Sequence, residues 1–170
     1  LHGPVLSDNL GYYLDLYNTW SSYKPESKGV FVAYASIHGN TAYAAQRFAD
    51  MLRDKGVENV VVTDLSRCDI AEAVEDAFRY DRMVLAAASY DAGVFPIMQD
   101  FLHHLQSKAY QNRTVGLIEN GSWAPTAAKT MRSILETMKN ITIAEPVVTI
   151  KSVLKETDIP TLDQLANALK

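Results

Sequence analysis

The chain of 170 residues is 48% hydrophobic and 21% charged, which suits one globular domain with its own core plus an appendage. Its net charge of -4 and pI near 5.5 give no electrostatic footing for nucleic acid or an anionic membrane. No apolar run reaches the length of a membrane span, these residues show no signal-peptide pattern, and the single cysteine, Cys68, excludes an internal disulfide and points to a reducing cytoplasm.

The chain opens in Leu-His-Gly-Pro with no initiator Met, as a piece of a longer protein would. Leu10, Tyr13, Leu14, Tyr17 and Trp20 then fall at helical spacing, so an amphipathic helix is expected. It either packs on the domain or bridges from a preceding one. Lys24-Pro25-Glu26-Ser27-Lys28-Gly29 reads as a boundary, which divides the chain into a linker helix, 1–28, and a domain, 29–170.

From Val30 onward strands and helices alternate. The apolar run 30–35 predicts a strand covered on both faces. A helix follows over 41–55, with Ala42, Ala45, Phe48, Ala49 and Leu52 inward and Gly56 ending it. Residues 59–65 form a second strand. A helix over 69–80 has Asp69 as its cap and Ala73, Val74, Ala77 and Phe78 inward. Cys68 just before it has no His nearby in sequence to activate it and reads as a packing residue. Residues 82–89 form a third strand, and 94–108 a helix with Pro96 in its first turn. A fourth strand spans 114–119, a helix 124–139, a fifth strand 145–150 and a last helix 158–170. Five strands with interleaved helices predict an α/β fold whose parallel sheet is clad on both faces.

In such a sheet ligands bind beyond the carboxyl ends of the strands. Three loops there belong together: Ser-Ile-His-Gly-Asn-Thr (36–41), Ser-Tyr-Asp-Ala-Gly-Val-Phe-Pro (89–96) and Asn-Gly-Ser-Trp-Ala-Pro (120–125). The first supplies the hydroxyls of Ser36 and Thr41, the amide of Asn40 and backbone N–H groups around Gly39, and it runs straight into a helix. A helix N-terminus can hold a phosphate with neutral donors alone. An ordinary strand-to-helix turn with a capping Ser or Asn fits the same residues. The Gly-Lys-Ser/Thr ending of a nucleoside-triphosphatase loop and the three glycines of a dinucleotide fingerprint are both absent. The other two loops put Tyr90 and Trp123 at adjacent tips, where exposed rings call for a cover. A flat aromatic ligand would provide one, and packing of Trp123 on the sheet edge is the alternative. Gly93 either permits a tight turn or lets a peptide turn over.

These three loops, in this order, resemble those of flavodoxins, over nearly all of 30–170. With His2-Gly3-Pro4 and Leu10-Gly11-Tyr12-Tyr13 ahead of them, the chain is similar to the C-terminal part of a flavodiiron protein (A-type flavoprotein). In that family a metallo-β-lactamase-like domain with two irons comes first, and a His-Gly-Pro turn supplies a late iron ligand. The resemblance implies a flavodoxin-like three-layer sandwich with strand order 2-1-3-4-5, and FMN as cofactor. Ser36, His38, Gly39, Asn40 and Thr41 would surround the phosphate. Ser89, Tyr90, Asp91, Ala92 and Gly93 would flank the ring system on one side, and Asn120, Gly121, Ser122, Trp123 and Ala124 on the other. His38 departs from the Thr, Tyr or Trp of relatives, but its backbone N–H still serves.

The implied function is electron relay without a catalytic side chain. A small donor such as rubredoxin or a reductase gives electrons, and the di-iron domain of a second subunit receives them to reduce O2 or NO. His103 and His104 are neighbours on a helix and point apart, so no di-iron site is expected in this chain itself. A stand-alone flavodoxin-like carrier and an FMN-dependent quinone reductase share the fold, although no nicotinamide site is legible. A receiver domain is excluded because its acidic positions read Tyr-Ala-Ser and Ala-Ala-Ser. A cofactor-free interaction module is the remaining alternative.

Overall fold

The run Val30 to Ala35 is buried throughout except for half-buried Tyr34, and its side chains divide by parity. In the computed structural model, which describes residues 3–170, Phe31, Ala33 and Ala35 join one apolar core, while Val30 and Val32 join a second. A strand with period two feeds both faces of its sheet in this way. The strand, β1, spans Ser27–Ala35, so it begins before the boundary expected at 28/29. His2, the one residue matched to an iron ligand, lies outside the described residues.

The other elements are α1 (Leu10–Ser21), α2 (Asn40–Asp54), β2 (Val60–Asp64), α3 (Ile70–Arg79), β3 (Tyr80–Tyr90), β4 (Gly93–Val94), α4 (Pro96–Ser107), β5 (Arg113–Asn120), α5 (Ala127–Leu135), β6 (Ile141–Ile143), β7 (Val148–Ile150) and α6 (Ile159–Ala168). The sheet runs β2-β1-β3-β5-β6, with β7 also beside β5 and β4 beside β3. All pairings are parallel except β3 with β4. Helices α2 and α6 pack together over one face, and α3, α4 and α5 over the other. The expected three layers and strand order are therefore present.

Four local expectations need correction. The strand expected at 145–150 is only β7, and the neighbouring β6 was not foreseen. Pro146 has no N–H to give to a ladder, and the break at 144–147 splits the fifth position into two short pieces. Val94 and Phe95, expected in a helix, lie outside it. Val94 pairs with Ser89, and Phe95 is extended at φ -54°, ψ 130°, because a residue before proline is driven out of the helical region. Helix α5 is shorter than 124–139 at both ends, beginning after Thr126 and ending at Leu135. Its Pro125 therefore precedes the helix. The last helix, expected over 158–170, is α6 at Ile159–Ala168, and a separate 3-10 turn at Glu156–Asp158 precedes it.

Asp69 caps α3 as expected, accepting from the Ala71 N–H at 2.9 Å. Asp69→Ala should lower stability by about 1 kcal/mol, read as a shift in the urea midpoint; an unchanged midpoint would show that the cap contributes nothing.

Helix α1 contains no buried residue. Its side-chain tie runs to the segment that follows it, where Trp20 Nε1 donates to Glu26 at 2.6 Å; beyond the helix, the Tyr23 carbonyl accepts from Arg113 Nη1 at 2.8 Å. Between α1 and α3 lies a cleft of about 850 Å³ lined by Tyr12, Leu16, Tyr17, Trp20, Val74 and Phe78 among others. The apolar stripe read from the sequence is thus present, and much of it faces no partner.

Candidate cofactor site

The site begins with how β1 hands the chain to α2. Gly39 stands at φ 89°, a region glycine enters without a Cβ penalty. Its N–H donates to Ser36 Oγ at 3.0 Å, which tightens the turn, and its carbonyl accepts from the Tyr43 N–H at 2.9 Å. No side chain caps α2. The N–H groups of its first turn therefore face the carboxyl edge of the sheet with the positive end of the helix dipole behind them. A capping Ser or Asn, the alternative reading of this loop, is not what the structure contains.

Two adjoining hollows open at this edge. One, of about 220 Å³, is lined by His38, Asn40 and Thr41 from the first loop, Ser89 from β3, and Asn120, Gly121 and Ser122 from the third loop. The other, of about 410 Å³, is lined by Ser89, Tyr90, Asp91 and Ala92 on one side and Gly121, Ser122, Trp123 and Ala124 on the other. Ser89, Gly121 and Ser122 belong to both, so the hollows form one trough. Neither lining includes a Lys or Arg. The smaller hollow meets the α2 N-terminus; the larger lies between two rings. Trp123 is 98% exposed and Tyr90 45% exposed, Tyr90 resting edge-on against Phe95 with centroids 5.8 Å apart.

Three of the expected residues stand behind these walls. Ser36 and Gly39 shape the first turn, and Gly93 backs the hairpin. Its carbonyl accepts from Thr126 Oγ1 at 2.9 Å, a bond that a peptide turning over there would have to break. The left-handed residues of this turn are Asp91 (φ 46°) and Ala92 (φ 57°).

Other residues at the site went unread in the sequence. Ser152 lines the smaller hollow at φ 70°. The Asn120 amide continues the β5–β7 pairing there: its Nδ2 donates to the Ser152 carbonyl at 2.8 Å and its Oδ1 accepts from the Ser152 N–H at 3.0 Å. Ile37, Ala88 and Thr126 are the other additions. An Asn closing a strand was a signal for the first of these, but its partner across the sheet was not readable. Gly121 allows the third loop to cross the second: a Cβ there would lie 2.9 Å from Ser89 Oγ and 3.0 Å from Pro125 Cα.

A family model described as a flavodoxin domain matches residues 31–155. The chain belongs to the flavodoxin domain family. None of the curated proteins compared with it matches. Among solved structures, this flavodoxin domain is similar to rubredoxin:oxygen oxidoreductase from Desulfovibrio gigas, at 20% identity and TM-score 0.87, over 95% of this chain and 40% of that one. It is similar to the flavodiiron protein from Giardia intestinalis, at 18% identity and TM-score 0.83, over 96% and 40%, and to a flavodoxin of Streptococcus pneumonia TIGR4, at 23% identity and TM-score 0.69, over 84% and 97%. These likenesses establish the fold. The chain spans about two fifths of the two longer proteins.

A flavodoxin domain implies FMN, and the trough fits it by its donor set: neutral hydrogen-bond donors at a helix N-terminus for an anionic tail, and the exposed rings of Tyr90 and Trp123 on either side for a flat head. Among the described residues, no three His, Cys, Asp or Glu side chains gather as a metal site, and no helix is long and apolar enough to cross a membrane.

Proposed function

We propose that the chain is the FMN-binding electron-transfer domain of a flavodiiron-type oxidoreductase, relaying electrons from a small redox protein to a di-iron site outside this chain. The observation that carries the finer half is coverage. The flavodiiron structures align with 95–96% of the chain, whereas the pneumococcal flavodoxin aligns with 84%. The difference is about the size of the segment preceding β1, whose apolar helix α1 has little to pack against here.

The FMN supplies the redox chemistry when bound; the chain's residues bind it and tune it. The first turn of α2, with Asn40 and Thr41 and the backbone at His38 and Gly39, would hold the phosphate. Thr41 is only 2% exposed, so its place in the wall is fixed by packing. Ser36 acts by bracing Gly39. Tyr90, Asp91 and Ala92 would flank one side of the ring system and Ser122, Trp123 and Ala124 the other. Asn120 would stiffen its loop through Ser152. No proton transfer by a side chain is required of any of these residues. Donors such as rubredoxin or a reductase, and a di-iron domain of a second subunit, are the partners this reading implies.

Trp123→Ala should weaken FMN binding about five- to tenfold, the size of one aromatic contact, by fluorescence titration; an unchanged affinity would remove the ring from the site. The functional reading is tested with FMN-loaded chain in two mixtures. Reduced rubredoxin should bleach the flavin absorbance, while NADH with a quinone should give no turnover above that of free FMN. NADH-dependent quinone turnover would replace this reading with that of a quinone reductase.

A further inference from the structure

The hairpin joining β3 to β4 is a two-residue loop with both central residues at positive φ, Asp91 and Ala92. Glycine or asparagine is the usual occupant of such a turn. Alanine has a Cβ and no side chain to bond its own backbone, so its left-handed state is sterically strained. Strain of this kind persists where the surroundings over-determine it. Part of that constraint is the short ladder, with Ser89 opposite Val94 and Tyr90 opposite Gly93. The Phe95 N–H on the Ala88 carbonyl at 3.0 Å extends that pairing, and one side chain adds to it, the Thr126 hydroxyl on the Gly93 carbonyl.

Thr126 is itself held from three directions. Its N–H donates to Ser89 Oγ at 2.9 Å, and the same oxygen accepts from the Ala127 N–H at 3.2 Å. Its carbonyl accepts from the Thr130 N–H and from Thr130 Oγ1, both at 3.1 Å. The next N–H of α5, that of Ala128, donates to the buried Glu119 at 2.9 Å. The start of α5 is thus engaged with the protein itself and serves as a rigid base for the hairpin.

We propose that Thr126 is the positioning residue of this hairpin: its hydroxyl, by holding the Gly93 carbonyl, keeps the Asp91–Ala92 turn in its left-handed state and so preforms one wall of the ring site. The consequence for binding rests on the flavin reading above. A preformed wall spares the cost of ordering a loop on association, so the latch contributes to affinity for the ring system and not for the phosphate.

The test compares Thr126→Val with Thr126→Ser, which keeps the hydroxyl. Without added flavin, φ-sensitive backbone NMR couplings should report Ala92 as left-handed in the parent and in Thr126→Ser, and as averaged in Thr126→Val. FMN affinity should fall about fivefold in Thr126→Val only, while inorganic phosphate binding stays within twofold. In an Ala92→Gly background, where the turn carries little strain, Thr126→Val should cost less than twofold. A turn that stays left-handed in Thr126→Val overturns the proposal, as does an equal loss in both backgrounds. If no form binds FMN, the functional reading falls, and the NMR comparison still decides the latch.

Discussion

Gly121→Val should all but abolish flavin binding, lowering FMN affinity by about 100-fold or more, equivalent to about 2.7 kcal/mol. The cause is the crossing of two loops. A Cβ at Gly121 would meet Ser89 Oγ at 2.9 Å and the Pro125 backbone at 3.0 Å, and backbone does not yield as the end of a flexible side chain does. Ser89 cannot swing aside without releasing the N–H groups of Thr126 and Ala127. The third loop is tied on its other side, where the Gly121 N–H donates to the Ile150 carbonyl at 3.0 Å. A branched side chain therefore lifts the loop away from β3 and opens both hollows at once. The fold should survive, at a cost of about 1–3 kcal/mol for overpacking. Far-UV circular dichroism close to that of the parent, together with lost flavin affinity, is the expected pair of results. Parent-like FMN affinity would show that the loop crossing does not shape the site.

Arg113→Ala should give the largest loss of stability, about 3–5 kcal/mol, or roughly 6–20 °C in Tm for a chain of this size. The Arg113 side chain is buried at the start of β5, 3% exposed, and it donates to five backbone carbonyls: Phe78 at 2.7 Å, Tyr80 and Tyr23 at 2.8 Å, and Gln111 and Asn112 at 3.1 Å. These carbonyls end α3, begin β3 and close the linker after α1, so one guanidinium joins three parts of the amino edge. Burial pushes its pKa below the ordinary value, against the opposing pull of Tyr110 and Asp81. Alanine would leave the carbonyls without donors. Lysine, with fewer donors on a compact head, should recover less than half of the loss. Because this cluster sits at the end of the strands away from the trough, FMN affinity measured well below the melting temperature should change less than twofold. A Tm within 2 °C of the parent would contradict the account, as would a large affinity change in folded protein.

The fold was legible because the strands are buried on both faces. The runs 30–35, 82–89 and 114–119 could be read as core strands without knowing their neighbours, and Asp69, Gly56 and Pro96 marked helix ends by local chemistry. Legibility failed where pairing across the sheet decided the outcome. Ile141–Ile143 is too short to show a period, and it is a strand only because β5 offers it an edge. Val94 left the expected helix for the same reason, since β3 runs on past the sheet to pair with it.

At the site, the loops carried their own evidence: neutral donors before α2, and rings at Tyr90 and Trp123; that no side chain caps α2 is visible only in the structure. The contributions of Ser152 and Thr126 depend on contacts 32 and 33 residues away in the chain, which no local pattern reports. The Thr126 hydroxyl on the Gly93 carbonyl was likewise beyond reach of the local sequence.

On the reading proposed here, the uncapped start of α2 would bind the phosphate through neutral donors. Titrating the chain with FMN and with riboflavin, which lacks only the phosphate, measures that contribution in one difference. The account predicts FMN to bind about 100-fold more tightly, or about 2.7 kcal/mol. Equal affinities for the two would contradict it.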